Sequence, residues 1–336
     1  MVRKGHRGTP RPLHLYPSAM QQRDAMSIRM RKGLYHISQF DAEHNPTDEQ
    51  LQELAEDVYK ALTGVGFMYI KNHGIPADLL KRMESIGREF FSLPREEKEK
   101  CGFTKDGKFG YSGVATETHG GSADVKEVFD YEYWLPSRWP KSVKYFEETY
   151  TEMFREFTTL FMRVLEVMAL SLNLERTFFT KLHNTFTKKT RTLLRILNYP
   201  KMPEDFKKSE SQMRLGGHTD WGTVSFIAQD NVGGLQIKSL SGDWIDATPK
   251  DGCLLVLIGD LMQRWTSDTF QANPHRSMKL PCEPVDMRGG EKSRFSMVYF
   301  GNSDSDAMIG SIGDSKYEPI NAGEYYEKLL TEAFGY

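Results

Sequence analysis

The pattern of apolar and polar positions changes period partway along the chain. In the first half it is helical. Thr47 and Gln50 form a T-x-x-Q capping box, and Leu51, Leu54, Ala55, Val58, Tyr59 and Leu62 follow at the spacing of one helix face, with Gly64 placed to end the helix. A short β-like run, Phe67 to Ile70, closes on the turn residues Asn72-His73-Gly74. A second helix is predicted from Pro76, with a stripe of Leu79, Met83, Ile86 and Phe90 and a stop at Pro94. A third spans roughly 143 to 172, with Tyr150, Met153, Phe154, Phe157, Phe161, Val164, Leu165 and Met168 on one side. Such Met and aromatic stripes are core faces. Asn72-His73-Gly74-Ile75-Pro76 reads as a structural turn between strand and helix.

From about Arg191 the text becomes a series of short strands: Leu193 to Asn198, Thr223 to Gln229, Gly234 to Ile237, Leu254 to Ile258 and Arg294 to Phe300. Between them lie turn signals such as Gly216-Gly217, Gly233-Gly234, Ser241-Gly242-Asp243 and Gly289-Gly290. Many short strands with glycine-rich turns point to a small sandwich or barrel of jelly-roll type. Residues 324–334 return to helical spacing. The fold class is therefore α+β, a jelly-roll core with N-terminal and C-terminal helices around it. The expected segments are a basic, disordered tail (1–33), a mostly helical region (34–185), the jelly roll (186–310) and a C-terminal helical segment (311–336). No composition shift marks a clean boundary near 185–192, so the two halves are expected to share one core.

Composition narrows the function. The chain has 336 residues with 44 basic and 46 acidic side chains, a formal charge of -2. This balance argues against a general nucleic-acid binder, which needs a positive excess. No apolar run approaches the length of a membrane span. The three cysteines, Cys101, Cys253 and Cys282, form no C-x-x-C pair. They suggest neither a disulfide framework nor a thiolate zinc site, and they fit a reducing compartment. Arg3, Lys4, Arg7, Arg11 and Arg23 make the tail basic, without an apolar segment of secretory type. A cytoplasmic location is expected, with organelle import through the tail left open.

Nine histidines are scattered along the chain, and most read as inert. His6 and His14 lie in the tail, His44 in a polar loop and His183 near the end of the long helix; His36 and His119 lack a partner pattern. His218-Thr219-Asp220 differs. It is read as entering a strand after Gly216-Gly217, where residues i and i+2 share a face about 6.6 Å apart along the chain, so an imidazole and a carboxylate can hold one ion. His275, 57 residues later in Asn273-Pro274-His275-Arg276, is the candidate third ligand. Two histidines and one aspartate form the facial set of non-haem Fe(II) oxygenases. Arg294 and Ser296, again at i and i+2, place a guanidinium fork and a hydroxyl where a carboxylate can bind, and Tyr199 offers a phenol donor to the same group. Arg276 reads as support for the neighbouring ligand, and Trp221 and Trp265 as core.

The ordered motifs resemble the isopenicillin N synthase-like family of Fe(II)- and 2-oxoglutarate-dependent dioxygenases. GFMYIKNHGIP (66–76), REFFSLPREEKEK (88–100), GYSG (110–113) and KEVFDY (126–131) are similar to its N-terminal region. LRILNYP (194–200), GGHTDWGTVSFIAQDNVGGLQI (216–237), IGDLMQRWTSDTFQANPHR (258–276) and RFSMVYF (294–300) are similar to its catalytic half. The resemblance covers about 34 to 336. It implies a double-stranded β-helix wrapped by helices. It implies Fe(II) on His218, Asp220 and His275, and 2-oxoglutarate on Arg294, Ser296 and Tyr199. With O2 as oxidant, the family's chemistry is hydroxylation, desaturation or cyclisation of a small organic molecule, with release of succinate and CO2. Eighteen residues separate His275 from Arg294, more than the family commonly has; an enlarged surface loop accounts for them, and Arg288 is the other basic candidate. By analogy of position, Tyr111, Phe300 and Asn302 are expected to line the substrate site, Phe300 being at i+4 from Ser296 on one strand face. The partner is then a small molecule, neither nucleic acid nor membrane, and the oligomeric state is open. Two other readings stand beside this one: a family oxidase that does without 2-oxoglutarate, and a non-catalytic jelly-roll binding module.

Overall fold

The computed structural model describes residues 34–36, 47–102, 110–119, 122–136, 138–201, 213–279, 293–313 and 316–334. The basic tail, His44 and most of the loop between His275 and Arg294, with Arg288, lie outside the described residues. All described residues belong to one compact unit, Leu34–Tyr336.

The elements run β1 (Leu34–His36), α1 (Asp48–Gly64), β2 (Met68–Lys71), α2 (Ala77–Ser92), α3 (Arg95–Glu99), β3 (Gly110–Ser112), β4 (Thr118–His119), β5 (Ser122–Ala123), β6 (Glu127–Glu132) and α4 (Phe146–Ser171). After a short 3-10 turn at Thr180–Leu182 come β7 (Leu193–Tyr199), β8 (Met213–His218), β9 (Val224–Gln229), β10 (Leu235–Lys238), β11 (Trp244–Asp246) and β12 (Cys253–Ile258). The chain ends with α5 (Asp260–Trp265), β13 (His275–Lys279), β14 (Arg294–Gly301), β15 (Met308–Ile309), β16 (Ile320–Asn321) and α6 (Ala322–Phe334).

Local chemistry explains the boundaries. Thr47 Oγ1 accepts from Gln50 N–H at 3.2 Å, and Gln50 Oε1 accepts from Thr47 N–H at 2.9 Å, which closes the capping box of α1. The turn after β2 uses Asn72 at φ 56 and Gly74 at φ 83. His73 is buried in it, and its Nδ1 accepts from Ile75 N–H at 3.2 Å, so the histidine is structural as expected.

An eight-stranded sheet runs in the order β1-β2-β12-β9-β14-β7-β6-β3, and a four-stranded sheet in the order β11-β10-β13-β8. Every pairing in the two sheets is antiparallel except β1 with β2. Between the sheets lies a core of Tyr69, Leu197, Ile227, Leu255 and Val298 from the large sheet with Leu215, Leu235 and Ile237 from the small one. This is the jelly roll. The outer face of the large sheet carries a second, larger core shared with α1, α2 and α4, in which Phe90, Phe129, Tyr150, Phe157, Phe226 and Tyr299 interlock. Each large side chain buried there contributes about 1.5–3 kcal/mol of transfer free energy.

The N-terminal region contributes more than helices. Its β1 and β2 form one edge of the large sheet and β6 and β3 the other, with C-terminal strands between them. One sheet thus draws on both sides of residue 186.

Candidate functional site

Alternation along β7 and β14 sorts their residues. Leu197 and Tyr199, and Val298 and Phe300, face the space between the sheets, while Leu194, Ile196, Met297 and Tyr299 face the helices. Arg294 and Ser296 share the inner parity.

His218 and His275 stand opposite each other on β8 and β13. A bulge gives this pairing its use. His275 pairs with His218 but Ser277 with Leu215, so β8 holds one extra residue over Gly216-Gly217. On a regular strand Leu215 and His218 would face opposite sides; the bulge turns both inward. Here the sequence reading needs correction. His218-Thr219-Asp220 does not enter a strand: His218 ends β8, and Asp220 sits in the connection to β9. Its backbone is held by α5, since Asp220 O accepts from Asp260 N–H at 2.8 Å and Thr219 Oγ1 donates to Asp260 Oδ2 at 3.0 Å. Burial, with the Asp220 charge beside it, pushes the Asp260 carboxyl up to about 6, against the opposing bond from Thr219. At Gly222 an added Cβ would meet Asn302 Oδ1 at 2.2 Å and Gly301 O at 2.6 Å, so only glycine fits this turn.

The side chains converge. Asp220 Oδ1 lies 3.7 Å from His275 Nε2 and 4.0 Å from His218 Nε2, and one ligand atom from each of the three falls within 4.8 Å of the others. His218 Nδ1 is 2.9 Å from the Gly216 carbonyl oxygen and His275 Nδ1 is 3.3 Å from that of Asn273. A carbonyl only accepts, so each Nδ1 carries a proton, and each Nε2 is turned towards Asp220. Burial, then the neighbouring His275 and His119 rings, push the His218 imidazole well below its usual range, which keeps it neutral. Asp220 Oδ2 is buried without a hydrogen-bond partner. Two imidazoles with Nε2 turned inward and a carboxylate with an unmet oxygen fit a divalent cation.

Arg294 is 2% exposed. Its Nη1 donates to Ser296 Oγ at 3.3 Å and its Nη2 to Gln229 Oε1 at 3.0 Å, while its Nε has no partner. No carboxylate pairs with it among the described residues. A buried guanidinium met only by neutral groups is costly unless an anion joins it. The Tyr199 ring lies beside it, its centroid 4.8 Å from the guanidinium carbon.

The expected substrate residues divide. Phe300 lies on the inner face. Asn302 is a buried clasp, its amide donating to Arg191 O at 2.6 Å and to Phe300 O at 3.4 Å. Tyr111 is not brought to the site: it belongs to the helix-side core, where its hydroxyl donates to Glu127 Oε1 at 2.6 Å and its ring meets Phe90. Sheet parity puts it on the far face, which sequence position alone did not reveal. Arg276 points away from the ligands too, stacked 3.9 Å over Trp244 and bonded to Gln236. Trp265 is core, as expected, and stacks on the buried His183.

The sequence reading missed a charged network beside these residues. Arg195 donates through Nε and Nη2 to Asp130 at 2.7 Å each, and through Nη1 and Nη2 to Glu117 at 3.2 and 2.9 Å. Lys126 Nζ lies 2.8 Å from Glu117 and 2.5 Å from Asp124. His119, thought to lack a partner, has its Nδ1 2.5 Å from Asp124 Oδ2 and its ring centroid 4.6 Å from that of His218. The segment is tied to β8 through Asp124 Oδ1, which accepts from Gly216 N–H at 3.2 Å. Glu117, His119 and Asp124 also lie close enough to hold a metal ion. Lys126 and Arg195 already neutralise both carboxylates, however, and would repel a dication. One signal was available: Arg195 has the strand parity of Leu197 and Tyr199.

The comparisons with known proteins agree with this geometry. Residues 36–152 match the model of the non-haem dioxygenase N-terminal region named for morphine synthesis. Residues 191–303 match that of the 2OG-Fe(II) oxygenase superfamily. Validamycin A dioxygenase of Streptomyces hygroscopicus subsp. limoneus is 30% identical over 320 residues, covering 86% of this chain and 85% of its own. A 2-oxoglutarate-Fe(II) type oxidoreductase of Emericella nidulans is 31% identical, covering 84% and 85%. Among solved structures, a full-length Neurospora crassa protein in complex with 2-oxoglutarate and thymine superposes with a TM-score of 0.78 at 28% identity, covering 89% of this chain and 96% of that one. Fold, donor set and relatives converge: the chain belongs to the 2OG-Fe(II) oxygenase superfamily, enzymes that work with Fe(II), 2-oxoglutarate and O2.

Proposed function

We propose that this enzyme oxidises a C–H bond of a small organic molecule, with Fe(II) held by His218, Asp220 and His275 and 2-oxoglutarate anchored at Arg294. The observation that carries the reading is the pairing of two unmet needs in one interior. A carboxylate and two imidazoles with Nδ1 held by backbone carbonyls converge with their ligand atoms within 4.8 Å of one another. On the inner face of β14, a buried guanidinium has no carboxylate beside it among the described residues. Bound iron supplies redox chemistry and an open coordination site for O2, and 2-oxoglutarate leaves as succinate and CO2.

In this reading the chain orients and shields. Gly216 and Asn273 hold the imidazoles, α5 holds Asp220, and Ser296 and Gln229 hold the Arg294 fork towards the distal carboxylate of the cosubstrate. Phe300 offers an apolar surface to the substrate. Arg294, with no carboxylate beside it among the described residues, favours a 2-oxoglutarate enzyme over an oxidase without it, and membership of the family removes the support for a non-catalytic module.

The direct test is substrate-free turnover. Purified protein with Fe(II) and 2-oxoglutarate is expected to release succinate slowly in air, and His218→Ala to lose both metal binding and this release. Equal succinate release with and without iron would contradict the proposal. Thymine, bound by the Neurospora crassa protein, is the first compound to try as a substrate here.

A further inference from the structure

The network around Arg195 reaches from the Phe300 ring to the His218 ring, beside the three converging side chains. Its most accessible members are His119, with a side chain 25% exposed, and Arg195, 17% exposed; Glu117, Asp124, Lys126 and Asp130 are each 6% or less. The buried members fix the two accessible ones. Asp124 takes His119 Nδ1 and leaves Nε2 available. Asp130 and Glu117 take four of the five N–H bonds of Arg195 and leave one on Nη1. The Phe300 ring lies 5.9 Å from the guanidinium carbon and adds a flat apolar surface.

Charge accounting limits what can bind there. The carboxylates are already engaged by hydrogen bonds: Glu117 by Lys126 and Arg195, Asp124 by Lys126 and His119 Nδ1, and Asp130 by Arg195. A substrate carboxylate approaching Arg195 meets two carboxylates already bonded to it. A substrate ammonium finds Glu117 already shared between Lys126 and Arg195. In either case the desolvation of a substrate charge is not repaid. What the wall still offers is hydrogen bonding and a ring face.

We propose that His119 and Arg195, held by Asp124, Glu117 and Asp130, form the wall that binds and orients the oxidisable substrate, a compact, flat molecule without net charge that carries a hydrogen-bonding carbonyl, as in a cyclic amide. This rests on the reading of His218, Asp220 and His275 as the iron ligands. His119 is a positioning residue whose ring, packed on His218, sets the distance between the substrate and the metal position.

The test uses the full chain with Fe(II) and 2-oxoglutarate and four probes: thymine (uncharged cyclic amide), 1-aminocyclopropane-1-carboxylate (zwitterion), homoarginine (cation) and benzoate (anion). Thymine alone is expected to raise succinate release above the substrate-free rate. His119→Phe and Arg195→Met are each expected to raise the KM for thymine about tenfold or more, the loss of one hydrogen bond, with little change in the KM for 2-oxoglutarate. His119→Gln, which keeps a donor for Asp124 and a polar group for the substrate, is expected to recover most of the loss, and so separates recognition from misfolding. Stimulation by a charged probe alone, or by none of the four, overturns the substrate class. An unchanged thymine KM in both His119→Phe and Arg195→Met overturns the wall. Failure of the iron reading shows elsewhere, as substrate-free succinate release that is absent or indifferent to His218→Ala.

Discussion

Arg294 and His218 show how far the sequence exposed the candidate site. Both were legible as motifs, H-x-D with a later histidine and R-x-S, because a metal or a carboxylate needs donors at fixed spacing. What the motif could not convey is why His218 points inward. That depends on the extra residue in β8 opposite Arg276, a pairing between strands 57 positions apart. Arg294→Met is expected to raise the KM for 2-oxoglutarate about 100-fold, roughly 3 kcal/mol for a charge-assisted pair of hydrogen bonds, while metal affinity measured by Mn(II) titration stays close to that of the parent. Glu132 is a second informative residue. It is buried with both oxygens lacking hydrogen bonds, and burial pushes its carboxyl up to about 7 despite Arg191 nearby. Its folded pKa is raised, so the stabilising state is the protonated one, present at low pH and lost as pH rises towards 7. Glu132→Gln should therefore stabilise the fold at pH 8 and not at pH 4, as thermal melts at the two pH values would show.

At the scale of elements, the sequence was clearest where one physical cause dominates. The capping box, the apolar stripe of α4 and the apolar runs of β12 and β14 stand close to where they were expected. It was opaque where partners do the work. β6 reads EVFDYE, with acidic residues at its first, fourth and sixth positions, yet every residue in it is buried; Arg195 satisfies Asp130 from β7 and Lys98 satisfies Glu127 from α3. β8 was masked by its glycines and β13 by its polar text, HRSMK. Thr47→Ala removes the α1 cap, and a loss of about 1 kcal/mol is expected in chemical denaturation. Gly222→Ala drives a methyl group into Asn302 Oδ1 and Gly301 O in the turn that carries Asp220. It should cost about 1–3 kcal/mol and weaken Mn(II) binding at the same time; a variant with parental metal affinity would show that the turn does not place the carboxylate.

For the whole molecule, acid stability follows from groups held away from their usual protonation. Burial lowers His73 and His183 to about 4. The unfolded chain therefore binds more protons below about 6.5, and stability is lost as pH falls from there towards 4. Glu117, held down to about 2 by Arg195 and Lys126 against the cost of burial, acts lower: its contribution is present above about 4.5 and lost as pH falls towards 2. Tm of the metal-free protein is expected to decline in two overlapping stages on acidification, and Glu117→Gln should flatten the lower one. Among the described residues no helix is long and apolar enough to cross a membrane.

The order of strands in the large sheet also bears on synthesis. β14, at residues 294–301 of 336, lies in the middle of that sheet, between β9 and β7, while the strands made first, β1 and β2, lie at its edge. All the other strands of the large sheet are therefore synthesised before the central ladder can close. Until then β7 and β9 expose unpaired edges, and the aromatic face of α4 has no complete sheet to cover. Translation speed and chaperone supply should thus govern the yield of active enzyme more strongly than they would for a chain whose sheet is assembled in the order it is made.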